Sequence, residues 1–163
     1  MSAEEKYSLE EAHLKFAKML NGETWDYLDK KDRSSDDIER MIHTAHASLY
    51  HWLKIGSGVN HQRGEYMLAR VYTAAGLGEE ALRHANRCIQ LGQEHAEELE
   101  DFDWAFAYEC LARAHARAGN AEDVQIFLEK ARQAGEKIQD PEDKKIFESE
   151  LSGGDWFGVQ LDD

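Results

Sequence analysis

Proline occurs once in this sequence, at position 141. With so few helix breakers, long uninterrupted helices are allowed and a proline-rich linker is excluded. Cysteine occurs twice, as Cys88 and Cys110, which is too few for a disulfide framework and forms no metal-binding spacing. Both fall at packing positions of predicted helices and read as reduced small hydrophobes, consistent with a cytoplasmic compartment. No alternating β-branched run appears, so no strand is expected. No segment approaches the roughly 18 apolar residues of a membrane span. The start, Met1 to Lys6, has no basic region leading into an apolar stretch, so no secretory signal is expected.

Positive charge is also scarce. Nineteen Lys and Arg face 33 Asp and Glu, for a net charge of −14. Neutralising phosphates supplies most nucleic-acid affinity, so that partner is disfavoured, and an anionic membrane surface is disfavoured on the same Coulombic ground. No HExxH motif and no glycine-rich phosphate loop occurs. Ser48 lies near His46 and His51, but near neighbours on a helix point in different directions and make no nucleophile–base pair. No catalytic residue and no cofactor is therefore expected.

What is present is helical patterning over a single domain, 1–163. Residues 1–7 are polar and expected to fray. Ser8 and Glu11 make a capping box for a first helix running to about Leu28. Its apolar stripe is Leu9, Ala12, Phe16, Leu20, Trp25 and Leu28, with Gly22 weakening its middle. After a charged loop from Asp29 to Ser35, Ser34 or Ser35 caps a second helix ending at Gly56-Ser57-Gly58. Ile38, Met41, Ile42, Ala45, Leu49, Trp52 and Leu53 form its predicted buried face. Asn60 is the expected cap of the third helix, which ends at Gly76. A fourth starts near Glu79, a fifth at Asp101 or Asp103, and a sixth covers about 121–137. Asp140-Pro141 is a helix start, with Asp as N-cap and Pro in the first turn. The seventh helix runs to about Leu151 and buries Ile146, Phe147 and Leu151. In the tail, Trp156 and Phe157 either fold back onto the helices or wait for a partner.

The middle of the chain repeats itself without gaps. Leu68-Ala69-Arg70 begins a stretch ending at Ala75-Gly76, and Leu111-Ala112-Arg113 begins one ending at Ala118-Gly119. Further identities fall at Glu79/Glu122, Gln90/Gln133 and Gly92/Gly135, always 43 positions apart. The pattern of large, small and aromatic positions reads Glu65, Leu68, Ala69, Tyr72, Ala81, Ala85, Cys88 in the first copy. In the second it reads Tyr108, Leu111, Ala112, His115, Val124, Leu128, Ala131. This pattern resembles the tetratricopeptide repeat, a helix–turn–helix unit whose usual period is about 34. Glu65, Ala85, His115 and Val124 depart from the family pattern, and its closing proline is missing from both copies.

The resemblance implies an all-α superhelix of antiparallel helical hairpins with about seven helices. An N-terminal hairpin (8–56) precedes two repeats (60–96 and 102–138), a capping helix (141–151) and a tail (152–163). It also implies a concave groove lined by the first helix of each repeat. By register, Arg63, Tyr66, Arg70 and Thr73 face that groove from the first copy, and Phe106, Glu109, Arg113 and Arg117 from the second. Arginine presents a rigid fork suited to carboxylates. The implied function is non-catalytic binding of a partner protein or peptide through an acidic or C-terminal segment. The same arginines can instead pair internally, with Glu65, Glu109 or Asp103. The family's Lys and Asn clamp for chaperone tails is not found here, so that ligand is not carried over.

A second reading rests on the second helix. Glu39, His43 and His46 share a face, a spacing that can present metal ligands, with His13 or His61 as further donors. It would make a small metal-binding or hydrolytic protein, although no motif commits these residues to a metal. A third reading is a homodimer through the Trp156–Phe157 tail or an exposed end of the array.

Overall fold

The computed structural model describes residues 5–161. Part of the N-terminal stretch expected to fray, residues 1–4, lies outside the described residues, as do the last two of the tail. Seven helices follow one another: α1 (Leu9–Leu28), α2 (Ser35–Ile55), α3 (Gly58–Ala75), α4 (Gly78–Glu94), α5 (Asp101–Ala118), α6 (Ala121–Glu136) and α7 (Pro141–Ser152). A single 3-10 turn, Ala96–Glu98, links α4 to α5. There is no strand among the described residues. The pairs α1·α2, α3·α4 and α5·α6 are antiparallel hairpins, and each packs on the next through α2·α3 and α4·α5. Helix α3 also touches α5 directly, and α7 closes the far end against α5 and α6. No helix among the described residues is long and apolar enough to cross a membrane.

Local chemistry sets most helix starts. The Ser8 hydroxyl accepts from the Glu11 amide while the Glu11 carboxylate accepts from the Ser8 amide, satisfying two donors that a helix start leaves bare. Ser34 and Asp37 do the same for α2. Asp140 caps α7 by accepting from the amides of Glu142 and Asp143, with Pro141 in the first turn. Helix α3 departs from expectation. Its cap is Ser57, and Asn60 stands three residues inside, where its side-chain oxygen accepts from the Ser57 amide at 3.0 Å. The asparagine serves the cap position from within the helix instead of occupying it.

The 43-residue period is present in three dimensions. Helices α3 and α5 begin at 58 and 101 and end at 75 and 118. Both end on a glycine in the left-handed region, Gly76 and Gly119, each with φ of 83°. A side chain at either position would strain the turn, which explains the shared Ala-Gly ending. Leu68/Leu111, Ala69/Ala112, Ala81/Val124, Ala85/Leu128 and Cys88/Ala131 are all buried. Small residues there let the paired helices approach closely. Tyr72 stacks on His84 at 5.2 Å, and 43 residues on His115 stacks on Phe127 at the same distance. The repeated glycines have a packing role too. A Cβ on Gly92 would meet the Trp104 ring at 3.1 Å, and one on Gly135 would meet the Phe147 ring at 2.3 Å. Gly92 and Gly135 thus each accommodate an aromatic ring from the next odd helix.

The N-terminal hairpin packs less fully. On α1 only Ala17 and Thr24 are buried, and Leu9, the head of the expected stripe, is 76% exposed. The α1·α2 seam is partly polar. The Thr24 hydroxyl donates to Thr44 at 2.9 Å and the Ser48 hydroxyl to the Ala17 carbonyl at 2.8 Å. The face of α2 turns accordingly: Met41, Ala45 and Leu49 are buried, but Leu53 is exposed. Gly22 sits on the exposed side of α1 with no atom within 4 Å of where a Cβ would stand. Gly22→Ala is therefore expected to stabilise the protein by about 1 kcal/mol, the helix-propensity difference. Urea unfolding followed by circular dichroism would read this as a higher midpoint at unchanged slope.

Candidate functional site

The odd-numbered helices wall two adjoining cavities. The first has a volume of about 380 Å³. Its lining comes from Leu28 on α1, Arg70, Thr73 and Ala74 on α3, and Glu109, Cys110, Arg113 and Arg117 on α5. Glu150 on α7, Arg33 from the α1–α2 loop, and the tail residues Gly154, Asp155 and Phe157 complete it. The second, about 420 Å³, is lined mainly by the aromatic and apolar side chains Trp25, Tyr66, Met67, Phe102, Phe106 and Ile146, with Arg63, Asp103 and Glu150 at its edge. Helices α2, α4 and α6 contribute nothing to either. Glu150 borders both, so its side chain divides one groove into an arginine end and an aromatic end.

Each sequence-predicted groove residue lies here. Arg63 holds Asp103 through two hydrogen bonds of 2.9 and 2.8 Å, one of the internal pairs anticipated, with its guanidinium 5.2 Å from the Phe102 ring. The Tyr66 hydroxyl accepts from Arg70 at 3.2 Å, and its ring meets Phe106 edge-on. Phe106 in turn packs edge-on against Phe147 at 5.4 Å. Arg70 pairs with Glu150 and lies over the Trp25 ring at 5.4 Å.

Glu109 and Arg113, one turn apart on α5, are both buried, at 0% and 8% exposure. The Arg113 Nε donates to one Glu109 oxygen at 2.5 Å. Its two Nη atoms donate to the carbonyls of Glu150, Gly153 and Asp155, and its plane lies 4.1 Å from the Trp156 ring. Those carbonyls end α7, where a helix leaves acceptors unpaired and carries partial negative charge. Arg117 is exposed and lies 4.8 Å from the Phe157 ring. Phe157 is the one non-glycine residue among the described residues with positive φ, 54°. The tail therefore folds back, with Trp156 buried against Ala112, Ala116, Val124 and Leu128.

Electrostatics follow from this burial. Desolvation pushes the Glu109 carboxyl above its ordinary value, against the pull of Arg113 and Arg70. Its second oxygen, Oε2, has no hydrogen-bond partner, and neither does the Arg70 Nε. The Cys110 thiol is pushed well above its ordinary value, first by its hydrogen bond with Cys88 and then by burial. It is thus held as a neutral thiol, not a nucleophilic thiolate.

Among the groove residues that escaped the sequence reading are Arg33, Trp25 and Glu150. Arg33 sits in what reads as a charged loop. There its Nη1 donates to the carbonyls of Tyr27, Leu28 and Lys30, fixing it against the end of α1. No local signal marks Glu150 as the partner of Arg70, 80 positions earlier.

The histidines do not gather into one centre. Glu39 and His43 stand 3.9 Å apart on the exposed face of α2. His46 turns to the Tyr72 hydroxyl at 2.9 Å and lies edge-on to His84, whose Nδ1 is 2.6 Å from Glu65. Burial, and then His84, push the His46 imidazole below its ordinary value. His13 meets His51 at 2.8 Å, and His61 bonds to the Trp52 carbonyl. Among the described residues, the group of three ligand-type side chains close enough to share a metal is His95, Glu97 and Glu98, at the 3-10 turn.

The class that fold and groove define is an all-helical protein of seven helices packed as sequential antiparallel pairs, with a cleft walled by alternate helices. No protein-family model, no curated protein and no solved structure matches the chain.

Proposed function

We propose that this protein is a tetratricopeptide-like binding module, and that the groove between its odd-numbered helices receives an acidic segment of a partner protein or peptide. The observation that carries this reading is the make-up of the groove. In a chain of net charge −14, four arginines line the 380 Å³ cavity, next to a cavity of aromatic side chains. A ligand that places a carboxylate at the arginine end and an apolar side chain at the aromatic end matches both. Aromatic and arginine side chains in partly desolvated pockets are also the types that dominate binding energy at interfaces.

The groove already holds such chemistry from its own chain. Glu150 gives Arg70 a carboxylate, the end of α7 gives Arg113 carbonyls, and Phe157 lies against Arg117. An incoming acid competes with Glu150 for Arg70. Arg117 is the safest residue to remove, because it is exposed and makes no hydrogen bond or ion pair among the described residues.

The test is capture of ligands from cell extract by the full chain, by Arg117→Gln and by Glu150→Gln, at low and moderate salt. Losing one charge-assisted hydrogen bond of about 1.5–3 kcal/mol should weaken binding about 10- to 100-fold in Arg117→Gln. Removing an internal competitor that contributes up to about 1 kcal/mol should tighten binding as much as fivefold in Glu150→Gln. Moderate salt should weaken all three. Ligands retained equally by all three proteins at both salt concentrations would overturn the reading.

A further inference from the structure

We propose that the arginine end of the groove is an oxyanion site closed by Arg33 and Arg117, taking a ligand that carries an oxyanion together with a hydroxyl or amide group. This assignment rests on reading the odd-helix groove as the binding surface. It adds which chemical group that end receives and brings in Arg33, a residue from the α1–α2 loop.

The first argument is charge pairing. Of the four arginines lining the cavity, Arg70 is matched by Glu150 and Arg113 by Glu109. Arg33 and Arg117 have no carboxylate partner among the described residues. Arg33 spends one Nη on backbone carbonyls, and Arg117 only lies against the Phe157 ring. The third acid of the lining, Asp155, uses Oδ1 to accept from the Phe157 amide at 2.6 Å. The lining carries four positive groups against three negative ones, inside a protein with a large negative excess. Two guanidinium forks left over at one cavity suit an oxyanion with several acceptor oxygens.

The second argument is independent of charge counting. Glu109 is fully buried, lines the same cavity, and its Oε2 has no hydrogen-bond partner. Arg70 lines it too, with its Nε donor unpartnered. Buried polar atoms are rarely left unpaired, and each one left so costs free energy. An unmatched acceptor and an unmatched donor call for a group that both donates and accepts, which a hydroxyl or an amide does and an ionised carboxylate alone does not. The volume, about 380 Å³, exceeds that of a bare ion and suits one carrying a short body.

The oxyanion can be a phosphate or a carboxylate, and the probes separate these. The whole chain is titrated with inorganic phosphate, glycerol 3-phosphate and 4-hydroxybutyrate at constant ionic strength, following the arginine Nε–H resonances by NMR. Saturable shifts of Arg33 and Arg117, with Arg63 in the neighbouring cavity unmoved, are expected. A phosphate ligand will show glycerol 3-phosphate binding about tenfold more tightly than inorganic phosphate, because its hydroxyl-bearing body fills more of the cavity that Glu109 and Arg70 line. A carboxylate ligand will show 4-hydroxybutyrate binding instead. Arg117→Gln should weaken the effective probe at least tenfold. Absence of saturable shifts with all three probes, equal shifts at Arg63, or unchanged binding by Arg117→Gln would overturn the assignment. If the probes bind but no acidic protein or peptide is captured, this site stands and the peptide groove falls. If capture succeeds and the probes fail, the reverse holds.

Discussion

Arg113→Ala is expected to cost about 3–5 kcal/mol of folding stability, the range for removing one partner of a buried ion pair. Arg113 is the hydrogen-bond partner of the fully buried Glu109, and its other nitrogens hold the carbonyls that end α7 and start the tail. Its loss leaves a carboxylate without a donor and unties α7 in the same step. The deficit should depend on pH. Burial already holds the Glu109 carboxyl above its ordinary value, and removing the adjacent cation raises it further. A carboxyl whose folded value is raised binds its proton more readily in the folded state. Its favourable contribution is present at low pH and lost as pH rises through the folded value. The mutant should therefore recover part of its stability at pH 5 relative to pH 8.

A volume-matched double replacement, Glu109→Leu with Arg113→Met, should be less destabilising than Arg113→Ala, because no buried charge remains. Urea unfolding at the two pH values would show both effects. A loss below about 1 kcal/mol that is the same at pH 5 and pH 8 would mean that Glu109 does not depend on Arg113.

Phe147→Ala should cost about 3–5 kcal/mol as well, through the cavity it leaves. Phe147 is 2% exposed, packed among Ala105, Ala131, Ala134 and Ile138, edge-on to Phe106 and close against Gly135. It is the one fully buried residue of α7, so the loss falls on the docking of that helix. With α7 loosened, Glu150 leaves Arg70 and the carbonyls leave Arg113. Limited proteolysis should then cut between α6 and the tail much faster than in the parent. The neighbouring substitution Ile146→Ala is the control: Ile146 is 59% exposed and should change stability by no more than about 0.5 kcal/mol. Similar losses for the two variants would show that α7 is not held by Phe147.

These two adjacent residues show where sequence reading stops. Ile146 and Phe147 are both apolar, and both fit a buried side of a short helix. Which of them turns inward depends on Gly135, two turns of chain and a loop away, leaving room for a ring. The glycine identity at 92 and 135 was visible as a repeat, but its use, to seat Trp104 and Phe147, appears only when successive hairpins stack. The caps were far more legible. Ser8 with Glu11 and Asp140 with Pro141 act within three residues, so spacing alone describes them, whereas Ser34 and Ser35 were both open until the structure gave the cap to Ser34 with Asp37. Ser57 and Asn60 were harder because either can serve a helix start, as cap or as third residue, and local chemistry permits both.

The groove divides in the same way. The repeat resemblance, carried along α3 and α5 by register, implied that Arg63, Tyr66, Arg70, Phe106, Glu109, Arg113 and Arg117 share one surface; helical spacing puts those of each helix on one face, and stacking of the hairpins brings the two faces together. The sequence by itself determined the all-helical class, the hairpin order, the 43-residue period and which side of α3 and α5 carries arginine, since each depends on interactions over a few residues or on a recurring pattern. Tertiary structure alone decided what those arginines meet. Glu150 on Arg70, the end of α7 on Arg113, Phe157 beneath Arg117 and Arg33 at the cavity wall are contacts between segments distant in the chain. They are selected by how hairpins stack and by the high cost of burying charge unpaired, and neither is written in local spacing.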